Sequence, residues 1–169
     1  MRTRRLIFAA SFCTLLLLCA GSANADTYLF GGSEGNIPGA TLTINGTPFS
    51  AVSQGWWATS EPNVPENTNY FVGDDIEYPD WLNNFFTFDL SEFNGGATSA
   101  ALSIDTSTTD AQNLPVTYSL FDVSTDAATL DAVGGASATI FNDLGSGNSY
   151  GQVFVSSYPS VSLDIALNS

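Results

Sequence analysis

Thr41-Leu42-Thr43-Ile44-Asn45-Gly46-Thr47-Pro48-Phe49-Ser50-Ala51-Val52 decides the fold. Its first four residues alternate polar and apolar, the period-two repeat of a strand with one buried face. Asn45-Gly46 follows, and this pair accepts the positive φ angles of a two-residue hairpin turn. The stretch therefore predicts a β-hairpin with strands over 41–44 and 47–52. The sequon Asn45-Gly46-Thr47 is accounted for by the same turn, and no modification is assigned to it.

Outward from the hairpin, the pattern predicts further strands over 70–72, 84–90, 100–104, 116–123, 152–155 and 161–167, between clusters of Gly, Asn, Asp, Ser and Pro. In the last of these, Val161, Leu163, Ile165 and Leu167 share one face, and Ser162, Asp164 and Ala166 the other. In 84–90, Phe86, Phe88 and Leu90 face the core, which leaves Phe85 to a second layer or the surface. Helical spacing is almost absent. One short turn is expected over 125–130, capped by Thr125, and another over 141–144, ended by Gly145. The reading is an all-β, jelly-roll-like antiparallel β-sandwich in a single domain, residues 26–169.

Residues 1–25 read as a secretory signal peptide. Arg2, Arg4 and Arg5 precede an apolar run from Leu6 to Cys19, and Ala23-Asn24-Ala25 is a small-x-small cleavage site. The run is shorter than the roughly 20 residues of a membrane-spanning helix, so no membrane insertion is expected after cleavage. Leu18 stands where lipoprotein processing at Cys19 would need a small residue.

Cleavage changes the chemistry of the chain. All three basic residues and both cysteines lie in the leader, so the mature chain has no Lys, Arg, His or Cys and keeps all 17 acidic residues. It forms no internal side-chain ion pairs, and its self-repulsion depends on salt, which screens charges beyond about 10 Å. Nucleic acid and anionic lipid are excluded as partners on the same ground.

The strings Asn69-Tyr70-Phe71-Val72-Gly73, Asn83-Asn84-Phe85-Phe86-Thr87-Phe88-Asp89-Leu90-Ser91, Thr98-Ser99-Ala100-Ala101-Leu102-Ser103, Tyr118-Ser119-Leu120-Phe121-Asp122-Val123-Ser124-Thr125 and Phe141-Asn142-Asp143-Leu144-Gly145-Ser146-Gly147 resemble the ectodomains of exported bacterial proteins of the PEP-CTERM, or exosortase-sorted, class. The similarity spans roughly residues 56–167. The middle portion also resembles carbohydrate-binding-module jelly rolls. The resemblance implies an extracellular β-sandwich at the cell surface or in the exopolysaccharide matrix, with no catalytic residues to carry over. Such proteins normally continue into a Pro-Glu-Pro motif, an apolar helix and a basic tip, whereas this sequence stops at Asn168-Ser169. The expectation is a truncated frame, or a member released without sorting.

The missing residue types argue against an enzyme. Ser or Thr nucleophiles need a His or Lys base, thiolate chemistry needs Cys, and phosphoryl transfer uses Lys or Arg. Structural zinc sites use Cys and His. Two-carboxylate glycoside hydrolysis passes this filter, but no pair of acids stands out by spacing.

Two candidate sites remain. Asp74, Asp75, Glu77 and Asp80 fall within seven residues between two predicted strands. Such a cluster suits calcium, which takes six to eight oxygen ligands, and equally suits a solvated acidic loop. Asn142-Asp143 is a weaker candidate of the same kind, better read as a turn cap. The second site is aromatic: Trp56, Trp57, Tyr78 and Trp81. Flat rings beside hydrogen-bond acceptors are what a sugar cleft uses, and the same rings would also fill the rim of a sandwich. Trp56 and Trp57, being adjacent, must point to opposite faces. The two functional expectations are a structural or adhesive matrix protein and a carbohydrate-binding module, with extracellular polysaccharide as partner.

Overall fold

The computed structural model describes residues 5–12, 39–60, 69–75, 80–106, 114–132, 136–157 and 162–168. It contains β1 (Arg5–Phe12), β2 (Ala40–Ile44), β3 (Thr47–Ala58), β4 (Gly73–Asp75), β5 (Asp80–Asp89), β6 (Ala100–Asp105), β7 (Val116–Asp122), α1 (Ala127–Leu130), α2 (Ala138–Leu144), β8 (Ser149–Val155) and β9 (Ser162–Ala166). The strands form an antiparallel all-β sandwich, ordered β8-β7-β1-β5-β3-β2-β6-β9, with β4 also paired to β5.

The sandwich is one long sheet folded over. β3 makes the corner: residues 47–50 pair with β2, and Ala51 to Ala58 pair with β5. Its register shifts between Ala51 and Ser53, leaving Val52 54% exposed. That extra residue bends the strand, as β-bulges do where a strand passes between sheets. The far ends of the sheet then meet, since Asn168 N–H donates to the Tyr150 carbonyl at 2.6 Å and Asn168 Nδ2 donates to the Ser149 carbonyl at 3.2 Å.

The Asn-Gly hairpin is present as predicted. Asn45 has φ 50° and Gly46 φ 82°, the two positive values this turn requires. Asn45 also pins a distant loop: its Oδ1 accepts from Thr98 N (2.8 Å), Thr98 Oγ1 (2.9 Å) and Ser99 N (3.1 Å), and its Nδ2 donates to the Gly96 carbonyl (2.9 Å).

Two apolar layers lie on opposite sides of β5. Phe86 and Phe88 are fully buried inside the sandwich with Leu42, Leu102, Leu120 and Ile165, each large side chain contributing roughly 1.5–3 kcal/mol by leaving water. Phe85 faces outward into a smaller cluster with Trp57, Leu130 and Leu144, which are roofed by α1 and α2. The expected division of Phe86 and Phe88 from Phe85 is thus observed, with the second layer supplied by the two short helices. In β9, Leu163 and Ile165 are buried while Ser162, Asp164 and Ala166 are exposed.

Local structure differs from expectation in several places: β3 runs on to Ala58, β5 starts at Asp80, α2 at Ala138 and β8 at Ser149. Residues 70–72 are not a strand; pairing begins at Gly73, against Leu82. Tyr70 acts as a plug instead, its ring 5.2 Å from Phe86 and its hydroxyl donating to the Asp105 carbonyl at 2.6 Å. The N-cap of α1 is Asp126, whose Oδ1 accepts from Thr129 N at 3.0 Å, rather than Thr125. Finally, Arg5–Phe12, within the segment read as a leader, lies as a strand between β5 and β7.

Candidate functional site

β4 and the start of β5 pair antiparallel, with Gly73 opposite Leu82, Asp74 opposite Trp81 and Asp75 opposite Asp80. Three of the four carboxylates expected to hold calcium are therefore on facing strands, but not on one face. Cross-strand partners share a face and successive residues alternate, so Asp74 lies beside Trp81 on one side and Asp80 lies on the other. Glu77 and Tyr78 lie outside the described residues. Among the described residues no three His, Cys, Asp or Glu side chains converge as a metal-binding group.

Asp80 is 5% exposed. Its Oδ1 accepts from Thr59 Oγ1 and from Trp81 N (2.9 Å), and its Oδ2 from Ser60 N (2.7 Å) and Ser60 Oγ (2.6 Å). These four donors fill the roughly four lone-pair sites of a carboxylate. Asp80 thereby ties the end of β3 to the start of β5, and a cation could reach it only by displacing those donors.

The aromatic candidates separate. Trp57 is 2% exposed, packed beneath the helices, and its Nε1 donates to the Leu130 carbonyl at 3.2 Å. Trp56 pairs in register with Asn84 and Trp57 with Asn83, so the two indoles lie on opposite faces, as their adjacency requires. Trp56 is half-buried on the interior side, and its Nε1 has no hydrogen-bond partner among the described residues. Trp81 is 41% exposed, on the outer face. The open aromatic feature among these residues is thus one ring, Trp81, with a carboxylate, Asp74, as its cross-strand neighbour. At such positions Cβ atoms lie about 4.5–5.5 Å apart.

Other carboxylates repeat the behaviour of Asp80. Asp143, on α2, accepts from Ser124 Oγ (2.5 Å), Thr125 Oγ1 (2.6 Å) and Thr125 N (2.7 Å). Partial burial works to raise its pKa, but these hydrogen bonds outweigh burial and hold the carboxyl below its ordinary value. Asp126 is also lowered, chiefly by the hydrogen bond from the Thr129 hydroxyl. Asp122 accepts from Asn148 N (2.6 Å) and Asn148 Nδ2 (3.0 Å). The preferred reading of Asn142-Asp143 as a turn cap matches the geometry of Asp143, which holds the turn at Ser124 and Thr125.

Sequence reasoning missed a polar centre inside the sandwich. Asn84 is fully buried; its Nδ2 donates to the Tyr70 carbonyl at 2.8 Å and its Oδ1 accepts from the Tyr118 hydroxyl at 3.1 Å. Desolvation pushes Tyr118 far above the usual phenol range, so it stays a neutral donor. Asn83-Asn84 reads as punctuation by composition, and only its place within a strand run hints at a buried role. Compared with known proteins, the chain matches no family model, no curated protein and no solved structure.

Proposed function

We propose that this is a non-catalytic secreted or cell-surface protein with a structural or adhesive role in the extracellular matrix. The observation that carries the reading is how the carboxylates are used. Asp80, Asp122, Asp126 and Asp143 each accept hydrogen bonds from neutral hydroxyl or amide donors. In a mature chain without basic side chains, such bonds anchor turns and strand ends where ion pairs would otherwise serve. This is the chemistry of a scaffold, and the leader and the resemblance to exosortase-sorted ectodomains support the same reading. A strain lacking the protein should shed matrix or lose adhesion, and the chain should be found outside the cell without residues 1–25. Retention in the cytoplasm, or an unchanged matrix, would sink the proposal.

A second reading, a carbohydrate-binding module, is favoured by the exposed Trp81 beside Asp74. Titration with polysaccharides while following tryptophan fluorescence separates the two. A saturable change abolished by Trp81→Ala supports the module. No change with any glycan leaves the scaffold reading.

A further inference from the structure

We infer that the outer face of the β4–β5 hairpin end, Trp81 with Asp74, binds a cationic glycan: a polymer of amino sugars whose nitrogens carry protons. This rests on the carbohydrate-binding reading given above and names its class of sugar.

The two faces of this hairpin end are used differently. On one, Asp80 is buried and its carboxylate is filled by Thr59, Ser60 and the Trp81 amide. On the other, the Trp81 side chain is exposed and Asp74 sits directly across the ladder from it. Asp74 is partly exposed, and among the described residues no hydrogen bond reaches its carboxylate. Elsewhere the fold consumes such groups: Asp131 accepts from Ser53 Oγ at 2.6 Å and Asp89 from Ser91 N at 2.9 Å. Asp74 is therefore an acceptor that the fold does not use, placed next to an open indole.

Each half of the pair recognises something that a protonated amino sugar has and a neutral sugar lacks. An indole face attracts a cation held within about 6 Å of the ring centre, and Trp does this best among the aromatics. The same flat face packs against the apolar side of a pyranose ring. A carboxylate and an ammonium attract as whole charges besides hydrogen bonding. A hydroxyl offers the carboxylate a hydrogen bond and offers the ring no charge. Directly opposed residues hold their Cβ atoms about 4.5–5.5 Å apart, so one ammonium reaches both groups.

The charge of the whole chain selects in the same direction. Three basic residues, Arg2, Arg4 and Arg5, stand against 17 acidic ones, so the surrounding field concentrates cations and repels polymers of uronic acids. A basic polypeptide shares the positive charge but fits the surface less well. Among the described residues the exposed large apolar side chains are Val52, Trp81 and Phe154, and the other two lie at the corner of β3 and on β8. A stable protein interface covers roughly 800 Å² on each partner, whereas a single indole matches one sugar ring.

Calorimetric titration of the purified protein tests this at about pH 5.5, where carboxylates are ionised and sugar amines are protonated, with ionic strength fixed. The probes are β-1,4-linked hexamers of glucosamine, N-acetylglucosamine and glucose, and a lysine hexamer. The glucosamine hexamer should bind saturably and at least about tenfold more tightly than the other three, a margin that one charged hydrogen bond supplies. Asp74→Asn should erase that margin. Trp81→Ala should weaken binding of the glucosamine hexamer about fivefold, and neither variant should change the thermal midpoint. If the N-acetylglucosamine or glucose hexamer binds as tightly as the glucosamine hexamer, the inference is overturned and the carbohydrate-binding reading stands. Equal binding of the lysine hexamer, or binding indifferent to both substitutions, also overturns it, because general charge then accounts for the attraction. If no glycan binds, the carbohydrate-binding reading fails and the inference with it.

Discussion

Two hairpin ends, Asn45-Gly46 and Asp75 opposite Asp80, do the same mechanical job by different routes. At the first, the exposed Asn45 supplies the turn through its own positive φ and then holds residues 96–99 by side-chain hydrogen bonds. At the second, the buried Asp80 holds Thr59 and Ser60, about twenty positions earlier in the chain. Both are polar residues at strand ends whose hydrogen-bonding capacity the protein itself takes up. They differ in burial, and burial sets what each should cost to remove.

Asp80→Ala should have the largest effect. It strips acceptors from two backbone N–H groups and two hydroxyls at a buried site, which costs roughly 2–4 kcal/mol. For a chain of this size the thermal midpoint should fall by on the order of 10 °C. Asp80→Asn, which turns an amide toward donors, should recover less than half of the loss. A drop under about 1 kcal/mol, within the range of ordinary surface changes, would break the comparison by showing that the strand end is held in another way.

Asn45 allows its two roles to be separated. Asn45→Gly keeps the turn angle and removes the bonds to residues 96–99, whereas Asn45→Ala removes both. The Ala variant should lose about 1–2 kcal/mol, and the Gly variant less, because a residue with Cβ pays roughly 1–2 kcal/mol for the left-handed region. Equal losses in the chemical-denaturation midpoints would mean that the cross-loop bonds carry the whole effect.

The first hairpin was legible in the sequence because its cause is local: two adjacent residues fix the turn, and alternation fixes the strands. Local alternation also separated Phe85 from Phe86 and Phe88, and Trp56 from Trp57. The second hairpin was not legible as a structural anchor. Gly73, Asp74 and Asp75 are poor strand formers and pair only because β5 extends beyond β1 to offer them an edge. The role of Asp80 depends on Thr59 and Ser60, and that of Asn84 on Tyr70 and Tyr118, contacts that no window of neighbouring residues contains. For the same reason the carboxylate cluster looked like one site by spacing, although the alternation of two strands divides it. The four aromatics likewise read as one platform, while Trp57 packs under helices whose place over the sheet has no local signal.

Asp143 extends the comparison to a third, half-exposed carboxylate. Its folded pKa lies below the unfolded value of 3.8, so its contribution is present above that value and is lost as pH falls through the lowered folded value. Asp143→Asn should cost about 0.5–1 kcal/mol at pH 7, after discounting for solvent screening. The difference from the unmutated protein in thermal midpoint should shrink below pH 4 on an acid series. A gap that persists unchanged into strong acid would mean that shape, and not charge, makes the cap.

Calcium gives the smallest expected effect and the sharpest contrast between the hairpin ends. With Asp80 committed to Ser60, Thr59 and Trp81, its carboxylate meets a cation only by giving up those hydrogen bonds. Millimolar calcium and magnesium should then raise the thermal midpoint of the exported chain equally at matched ionic strength, since each acts by screening 17 acidic residues. A true site saturated at a hundred times its Kd would add about 2.7 kcal/mol for calcium alone. Should that selective rise occur, Asp74→Asn and Asp75→Asn assign it. Loss with either variant would place the ion at the hairpin end, with Asp80 surrendering its hydrogen bonds, and the likeness between the two hairpin ends would then hold only for the cation-free protein.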